Sequence, residues 1–143
     1  MATTYAVEVA GISTIPTTKN NGGLQGGRMR CFRATIPYHG QASGDDIVLA
    51  EVPAGYVFSH GVITASATAG ASATIAIGVS GATGKYRTAA VFTSANTPTL
   101  FGNAAAMDDS ALTAKETVLA TIAVAALPNS ADFAVIKLFY IAP

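Results

Sequence analysis

Short segments in which apolar and polar residues alternate with a period of two recur along most of this 143-residue chain. In the segment ATIAIGVS, for example, the large apolar residues Ile75, Ile77 and Val79 occupy every second position. That spacing is typical of a β-strand with one buried face. No stretch keeps a 3.6-residue period long enough to predict a long helix, and one short helix is expected at 107–115. The pattern therefore favours an all-β fold.

Turn signals separate the alternating segments. Pro-Ala-Gly at 53–55, SGATGK at 80–85 and LPNSAD at 127–132 combine the residues that tight turns require. About eight strands are expected, at 5–11, 30–38, Asp46–Val52, 56–66, 73–80, 85–92, 116–126 and 132–141. The prediction is a single domain, an antiparallel β-sandwich with a jelly-roll-like arrangement over residues 34–143. Residues 1–33 are expected to form an N-terminal arm with the first strand or strands.

The composition suggests a chain that lives in an assembly. Half of the residues are apolar, only 11% are charged and the formal net charge is zero, so little charge protects a monomer against association. No window holds about 18 uninterrupted apolar residues, which argues against a membrane span. The N-terminal residues lack the pattern of a secretion signal, and a single cysteine, Cys31, requires no oxidising compartment. Synthesis in a cytoplasm is expected.

The last predicted strand, DFAVIKLFYIAP, is apolar on both faces. An ordinary two-layer sandwich needs only one apolar face per strand, so the second face must be covered. We expect Ile136, Leu138 and Tyr140 to contact a neighbouring subunit. The alternative is a loop of the same chain folded over that face.

Two segments look irregular. Residues 17–28 contain four glycines and one large apolar residue, which predicts a flexible arm or long loop. Lys19, Arg28, Arg30 and Arg33 give residues 1–33 a mild basic bias, far short of a nucleic-acid-binding stripe. The connection 93–109 is long enough to predict a contact loop, with Leu100 and Phe101 as its contact residues.

The segment IAIGVSGATGKYRTAA resembles the start of a phosphate-binding loop, but it fails three tests. The first glycine of such a loop would fall at Val79, and Gly78 lies one residue too early. Tyr86 stands where a magnesium-binding hydroxyl is needed, and the residues that follow predict a strand instead of a helix. The segment is therefore interpreted as a hairpin turn whose glycines adopt positive φ, with Lys85 at a solvated tip or facing a partner.

No other motif predicts chemistry. His39 and His60 each precede a glycine, and their spacing to the aspartate pairs at 45–46 and 108–109 matches no metal-binding pattern. Cys31 alternates with Phe32 and is expected to be a small buried apolar residue. We therefore expect no catalytic residue, no metal site and no cofactor.

Three segments carry a resemblance to a known family: GDDIVLAEVPAGYVFSHGVITAS, ATIAIGVSGATGKYRTAA and LTAKETVLATIAVAAL. An apolar strand, Pro-Ala-Gly, a second strand, Ile-x-Ile-Gly and a glycine-rich turn before Lys-Tyr resemble the small all-β proteins among the head genes of tailed bacteriophages. About two-thirds of the chain follows this pattern. Residues 1–33 lie outside it.

Proteins of this kind are similar to capsid decoration, or cement, proteins. The resemblance implies a homotrimer on the outer capsid surface of a virion, assembled in the bacterial host cytoplasm. It implies the major capsid protein as partner, with no nucleic acid or membrane bound and no enzyme activity. Lys19, Arg28, Arg30 and Arg33 would then pair with capsid carboxylates, and Leu100 and Phe101 would add apolar contact.

Two alternatives remain open at this stage. The chain could be another virion component, such as a head fibre, neck or tail protein, because a fold does not fix a function. It could instead be a glycan-binding β-module, which would require clustered exposed aromatic residues on loops.

Overall fold

The chain folds as a two-layer β-sandwich in the computed structural model, which describes residues 26–108 and 110–143. Eight strands and one short helix follow one another in the order β1 (Arg28–His39), β2 (Asp46–Val52), β3 (Val57–Ala65), β4 (Thr74–Val79), β5 (Ala82–Val91), β6 (Thr99–Phe101), α1 (Ala104–Met107), β7 (Glu116–Ala123) and β8 (Asn129–Ala142). Residues 17–25 of the predicted flexible segment 17–28 lie outside the described residues, as does the predicted strand at 5–11, whereas Arg28 is the first residue of β1.

The strands form two antiparallel sheets of four. Sheet A has the order β1-β8-β3-β6 and sheet B has the order β2-β7-β4-β5. The first strand thus pairs with the last, the second with the seventh, the third with the sixth and the fourth with the fifth. Each successive pair lies within the previous one along the chain, and the pairs alternate between the two sheets. The predicted all-β class and the antiparallel β-sandwich of about eight strands are confirmed.

Alternation decides which side chains reach the core. Along β8, Ala134, Ile136, Leu138 and Tyr140 are at most 1% exposed and meet Ile75, Ile77 and other residues of sheet B in one cluster. The odd-numbered residues of β8 project to the other side of sheet A. Burying a side chain of this size stabilises the fold by about 1.5–3 kcal/mol, so the register of β8 is strongly specified.

An aromatic cluster joins the two sheets at one end of the core. The ring of Phe58 lies 4.3 Å from that of Tyr86 and 5.3 Å from that of Tyr140, and Phe32 meets Tyr140 edge-on at 5.7 Å. Such pairs contribute about 0.5–1.5 kcal/mol each beyond their buried area. The cluster fixes the end of the sandwich at which β5 and β7 approach β3 and β8.

Several local predictions are corrected by the structure. The short helix spans Ala104–Met107 instead of 107–115, and the connection 93–109 contains β6, which pairs with β3. Cys31 is exposed, because Phe32 and its even-numbered neighbours on β1 take the side that faces the core. The expected boundary between residues 33 and 34 falls inside β1, which pairs with β8 from Arg28 onward.

Candidate functional site

The glycine-rich turn that resembled a phosphate-binding loop is a tight hairpin between β4 and β5. Val79 pairs with Ala82, so Ser80 and Gly81 form the loop, and Gly81 has a φ of 81°. The hairpin is therefore confirmed, but of the three glycines in the segment only Gly81 adopts a positive φ, and Gly78 and Gly84 do not. Lys85, however, lies three residues inside β5 and is not at the tip, which corrects its expected position.

Lys85 belongs to a half-buried polar cluster with Tyr86 and Glu116. Its Nζ donates to Oε2 of Glu116, while the Tyr86 hydroxyl donates to Oε1 of the same carboxylate. The side chains of Lys85 and Glu116 are 31% and 16% exposed. Both carboxylate oxygens are engaged within the chain, so the cluster is a structural tie between β5 and β7.

The segment before α1 is anchored to the same part of β5. The side-chain amide of Asn103 donates to the carbonyls of Gly84 at 2.7 Å and Lys85 at 3.2 Å, and its backbone N–H donates to the carbonyl of Tyr86 at 3.1 Å. In a phosphate-binding loop, backbone N–H groups face the ligand. Here the backbone carbonyls of residues 84–86 accept hydrogen bonds from Asn103. These hydrogen bonds hold the segment before α1 against β5, which is a structural role.

Three core tyrosines hold their protons tightly. Burial is the main cause that raises the pKa of Tyr38, Tyr86 and Tyr140 above the ordinary value of 10.0. For Tyr86 the hydrogen bond to Glu116 raises the pKa further. A tyrosine that remains protonated is a poor nucleophile and a poor base at neutral pH, so this cluster offers little reactive chemistry.

The outward side of sheet A, which we call the outer face, brings together two of the sequence-predicted contact residues, Arg33 and Leu100. Three rows of paired residues cross it: Cys31–Phe139–His60, Arg33–Lys137–Val62–Leu100 and Thr35–Val135–Thr64. Five of these ten residues are apolar and five are polar or charged, so the face mixes apolar contact area with two cations, a histidine and two hydroxyls.

Apolar side chains extend the outer face toward its ends. Met29, Phe133 and Leu100 are 52%, 44% and 71% exposed. The ring of His60 stacks on that of Phe139, with 4.6 Å between centroids and 15° between planes. Sheet B also exposes apolar side chains, at Val48 and Val91, so apolar exposure marks the outer face as an interaction surface only in combination with its other features.

A depression of about 440 Å³ lies at the β6 side of this face. It is lined by His60, Leu100, Phe101, Gly102 and Met107. The ring of Phe101 packs directly over Gly61, because a Cβ at residue 61 would lie 2.1 Å from that ring. The glycine at residue 61 is thus what allows the Phe101 ring to lie against β3.

The middle row of the outer face places two cations side by side. Arg33 of β1 and Lys137 of β8 are direct cross-strand neighbours, and both are exposed. They line one cleft of about 260 Å³ together with Val62, Thr64 and Val135. Within residues 26–108 and 110–143, no carboxylate lies within 4 Å of either cation.

The predicted basic contact residues do not share one face. Arg28 and Arg30 pair with Ala142 and Tyr140 and have the core-facing parity of β1, yet both are exposed. Arg33 has the opposite parity and projects from the outer face. Lys19 lies outside the described residues.

The two predicted loop contacts, Leu100 and Phe101, also lie on opposite sides of sheet A. Leu100 pairs with Val62 and projects from the outer face, whereas Phe101 covers Gly61 and packs against the core. Only Leu100 is thus freely available to a partner. Both residues belong to the strand β6 and not to a loop.

The predicted subunit-interface residues require a correction. Ile136, Leu138 and Tyr140 are 0%, 1% and 0% exposed within a single chain, because sheet B covers them. A neighbouring subunit cannot contact them while the sandwich is intact. The prediction selected the wrong face of the strand, and the face left available carries Phe133, Val135, Lys137 and Phe139.

Sequence reasoning missed Lys137 and His60 as members of this surface. The period of two along β8 already places Lys137 and Leu138 on opposite faces of the strand. Only the pairing of β1, β8 and β3 shows that Arg33 and Lys137 are neighbours.

In the part of the chain that the structure describes, no helix is long and apolar enough to cross a membrane. Among the same residues, no three His, Cys, Asp or Glu side chains are grouped so that they could hold a metal ion.

Comparisons with known proteins find likeness in the fold alone. No family model matches the chain, and no curated protein matches it. A chain of the cyanophage Pam1 capsid asymmetric unit superposes with a TM-score of 0.63 at 17% identity, covering 82% of this chain and 86% of that chain. A chain from the capsid of Ralstonia phage GP4 has a TM-score of 0.63 at 19% identity, covering 82% and 84%.

A third likeness is more distant. A chain from the acid-stable capsid of the Helicobacter pylori bacteriophage KHP30 has a TM-score of 0.50 at 12% identity, covering 80% of this chain and 88% of that chain. This chain therefore has the fold of chains found in bacteriophage capsid structures, and the resemblance to phage head proteins is confirmed at the level of the fold. In each comparison the superposition covers nearly the same share of this chain and of the matched chain. The matched chains therefore have about the same length as this one.

Proposed function

We propose that this chain is a structural protein of a bacteriophage virion that binds the outer surface of the capsid and stabilises the head by clamping adjacent capsomers. The observation that carries the proposal is the shared fold with chains of similar length in three phage capsid structures. The partner is the major capsid protein. The protein is a homotrimer and not an enzyme, assembled in the host cytoplasm and located on the virion.

The physical basis of the clamp is a rigid body that offers an apolar surface. The core is continuous from sheet to sheet, and the described residues contain two ion pairs, which leaves most of the stability to apolar burial. A rigid sandwich loses little conformational entropy when it binds. Many copies on one shell add their contributions, so modest contacts per copy suffice to strengthen the head.

The test is an add-back experiment. Capsids from phage that lack the gene are mixed with purified protein, and bound copies, heat release of DNA and resistance to chelator are measured. The proposal predicts saturable binding and a higher release temperature. Absence of binding, or binding without any change in resistance, would contradict the clamping role. Mass photometry of the free protein checks for the trimer.

A second virion location would give a different result in the same experiment. A head fibre, neck or tail component would bind in a few copies at one vertex or not at all, and heat resistance of the shell would stay unchanged. A glycan-binding module would retain ligands on a glycan array, where a capsid protein is expected to show none.

A further inference from the structure

We propose that the outer face of sheet A is the surface that docks on the capsid, and that the partner segment inserts a carboxylate between Arg33 and Lys137. This inference rests on the proposed function and assigns it to a particular surface and partner chemistry. Four observations support it: the charge of the sheet, the like-charged pair, the cleft and the apolar surround.

The two sheets differ in charge. The strands of sheet A carry four basic residues against one acidic residue: Arg28, Arg30, Arg33 and Lys137 against Asp132. The strands of sheet B carry three acidic residues against two basic ones: Asp46, Glu51 and Glu116 against Lys85 and Arg87. Asp132 already accepts hydrogen bonds from Ser66 at 3.0 Å and Ser130 at 2.9 Å. Of the four basic residues, only Arg33 and Lys137 project from the outer face, and these two cations make that face favour an acidic partner.

The pairing of Arg33 with Lys137 costs stability in the free protein. Like charges directly opposite each other on neighbouring strands repel. Both are surrounded by apolar or hydroxyl side chains in the cleft, so the repulsion is not offset by a carboxylate among the described residues. A carboxylate from a partner would convert this repulsion into two charge-assisted hydrogen bonds.

The rest of the face supplies apolar contact around that anchor. The row with Phe139 and His60 lies on one side of the cation pair, and Val135 lies on the other. Leu100 is in the same row as the cations at the β6 edge. An apolar surround excludes water and strengthens the charged contact at its centre. The partner segment is therefore acidic at one position and apolar on either side.

The test uses the full-length chain with the double substitution R33Q/K137Q. The control is K115Q, which neutralises a lysine 63% exposed that pairs with Glu51 on the other sheet. Removing the like-charged pair should leave the melting temperature of the free protein unchanged or raise it by about 1–3 °C. Capsid affinity should fall about tenfold or more, and its salt dependence should weaken. K115Q should bind like the parent.

The outcomes separate this inference from the proposed function. If the parent does not bind capsids, the proposed function fails. If parent and double variant bind equally, the function stands and the assignment of the surface is wrong. A lower melting temperature for the double variant would show that the cations already have a carboxylate partner within the chain, which also overturns it. Loss of the free oligomer in the double variant would overturn it in favour of a contact between copies.

Discussion

The carboxylate of Glu116, at the start of β7, accepts a hydrogen bond from the buried hydroxyl of Tyr86 on β5. The same carboxylate accepts from Lys85, so one side chain satisfies the buried Tyr86 hydroxyl and the half-buried Lys85 ammonium group. The tie holds together the strands next to the aromatic cluster. It accounts for the Gly-Lys-Tyr sequence in structural terms, without a phosphate ligand.

Removing the carboxylate should destabilise the fold measurably. Glu116→Ala leaves the Tyr86 hydroxyl buried without its acceptor, and an unsatisfied buried donor costs about 1–3 kcal/mol. Tyr86→Phe should cost less, because it removes the hydroxyl together with its need for a partner. Urea unfolding of both variants and the double variant measures the coupling.

The control for this cycle is the exposed ion pair of Lys115 and Glu51. Its Nζ–Oε2 distance is 2.7 Å, and the two side chains are 63% and 57% exposed. Glu51→Ala should change the free energy of unfolding by about 0–1 kcal/mol. Equal losses for Glu116→Ala and Glu51→Ala would show that the buried tie adds nothing.

The free energy of unfolding should fall above pH 10. Tyr38, Tyr86 and Tyr140 have raised pKa values in the folded chain, while the unfolded chain loses its tyrosine protons near the ordinary pKa of 10.0. The folded state holds more protons in this range, so raising the pH favours the unfolded state, and the stability from these groups is complete only below pH 10. Absorbance at 295 nm and circular dichroism should change together as the pH rises.

The contradicting result would be ionisation without unfolding. If all tyrosines titrate near pH 10 while the circular dichroism spectrum remains native, the three hydroxyls are accessible to water and the packing of the core differs from the one described.

Two glycines of the hairpin segment should respond differently to substitution. A Cβ at Gly78 would lie 2.2 Å from the backbone oxygen of Ala82, at the irregular pairing of β4 with β5. At Gly84 the nearest atom is the Cα of Thr88 at 3.5 Å, an ordinary contact. Gly78→Ala should therefore destabilise by about 1–3 kcal/mol or more, and Gly84→Ala by less than about 1 kcal/mol.

Thermal melting of the two alanine variants compares them directly. The difference would vanish, or change sign, if the glycines served only chain flexibility, because both residues would then respond to the loss of entropy in the unfolded chain alone.

Cys31 provides a label on the outer face without any substitution. It is exposed, it is the single cysteine of the chain, and it pairs with Phe139 in the row next to the cations. A thiol reagent should modify it rapidly in the free protein and at least about tenfold more slowly in capsid-bound protein, because docking would cover it. Equal rates in both states would place the docking surface elsewhere.

Period two and turn chemistry predicted most of the fold. β2 was predicted at Asp46–Val52, as observed, and the Pro-Ala-Gly turn carries Gly55 at a φ of 88°. β7 ends three residues earlier than predicted, at Ala123, because Val124 adopts a φ of 70°. A β-branched residue rarely takes that conformation, so propensity alone could not indicate the break.

The faces were harder to predict than the strands. Both sides of β8 are apolar, so its sequence does not indicate which side meets sheet B, and Ile136 was placed on the wrong one. The exposure of Cys31 and the pairing of Arg33 with Lys137 also depend on strand order, which connects residues more than 100 positions apart. Local patterns cannot supply that information.

The central claim is tested most directly by an electron cryo-microscopy reconstruction of the virion at a resolution that shows side chains. The proposal predicts density for this sandwich at capsomer junctions over the whole outer surface, with sheet A toward the shell and a carboxylate of the major capsid protein beside Arg33 and Lys137. Density confined to a single ring at one vertex, or absent from the shell, would contradict it.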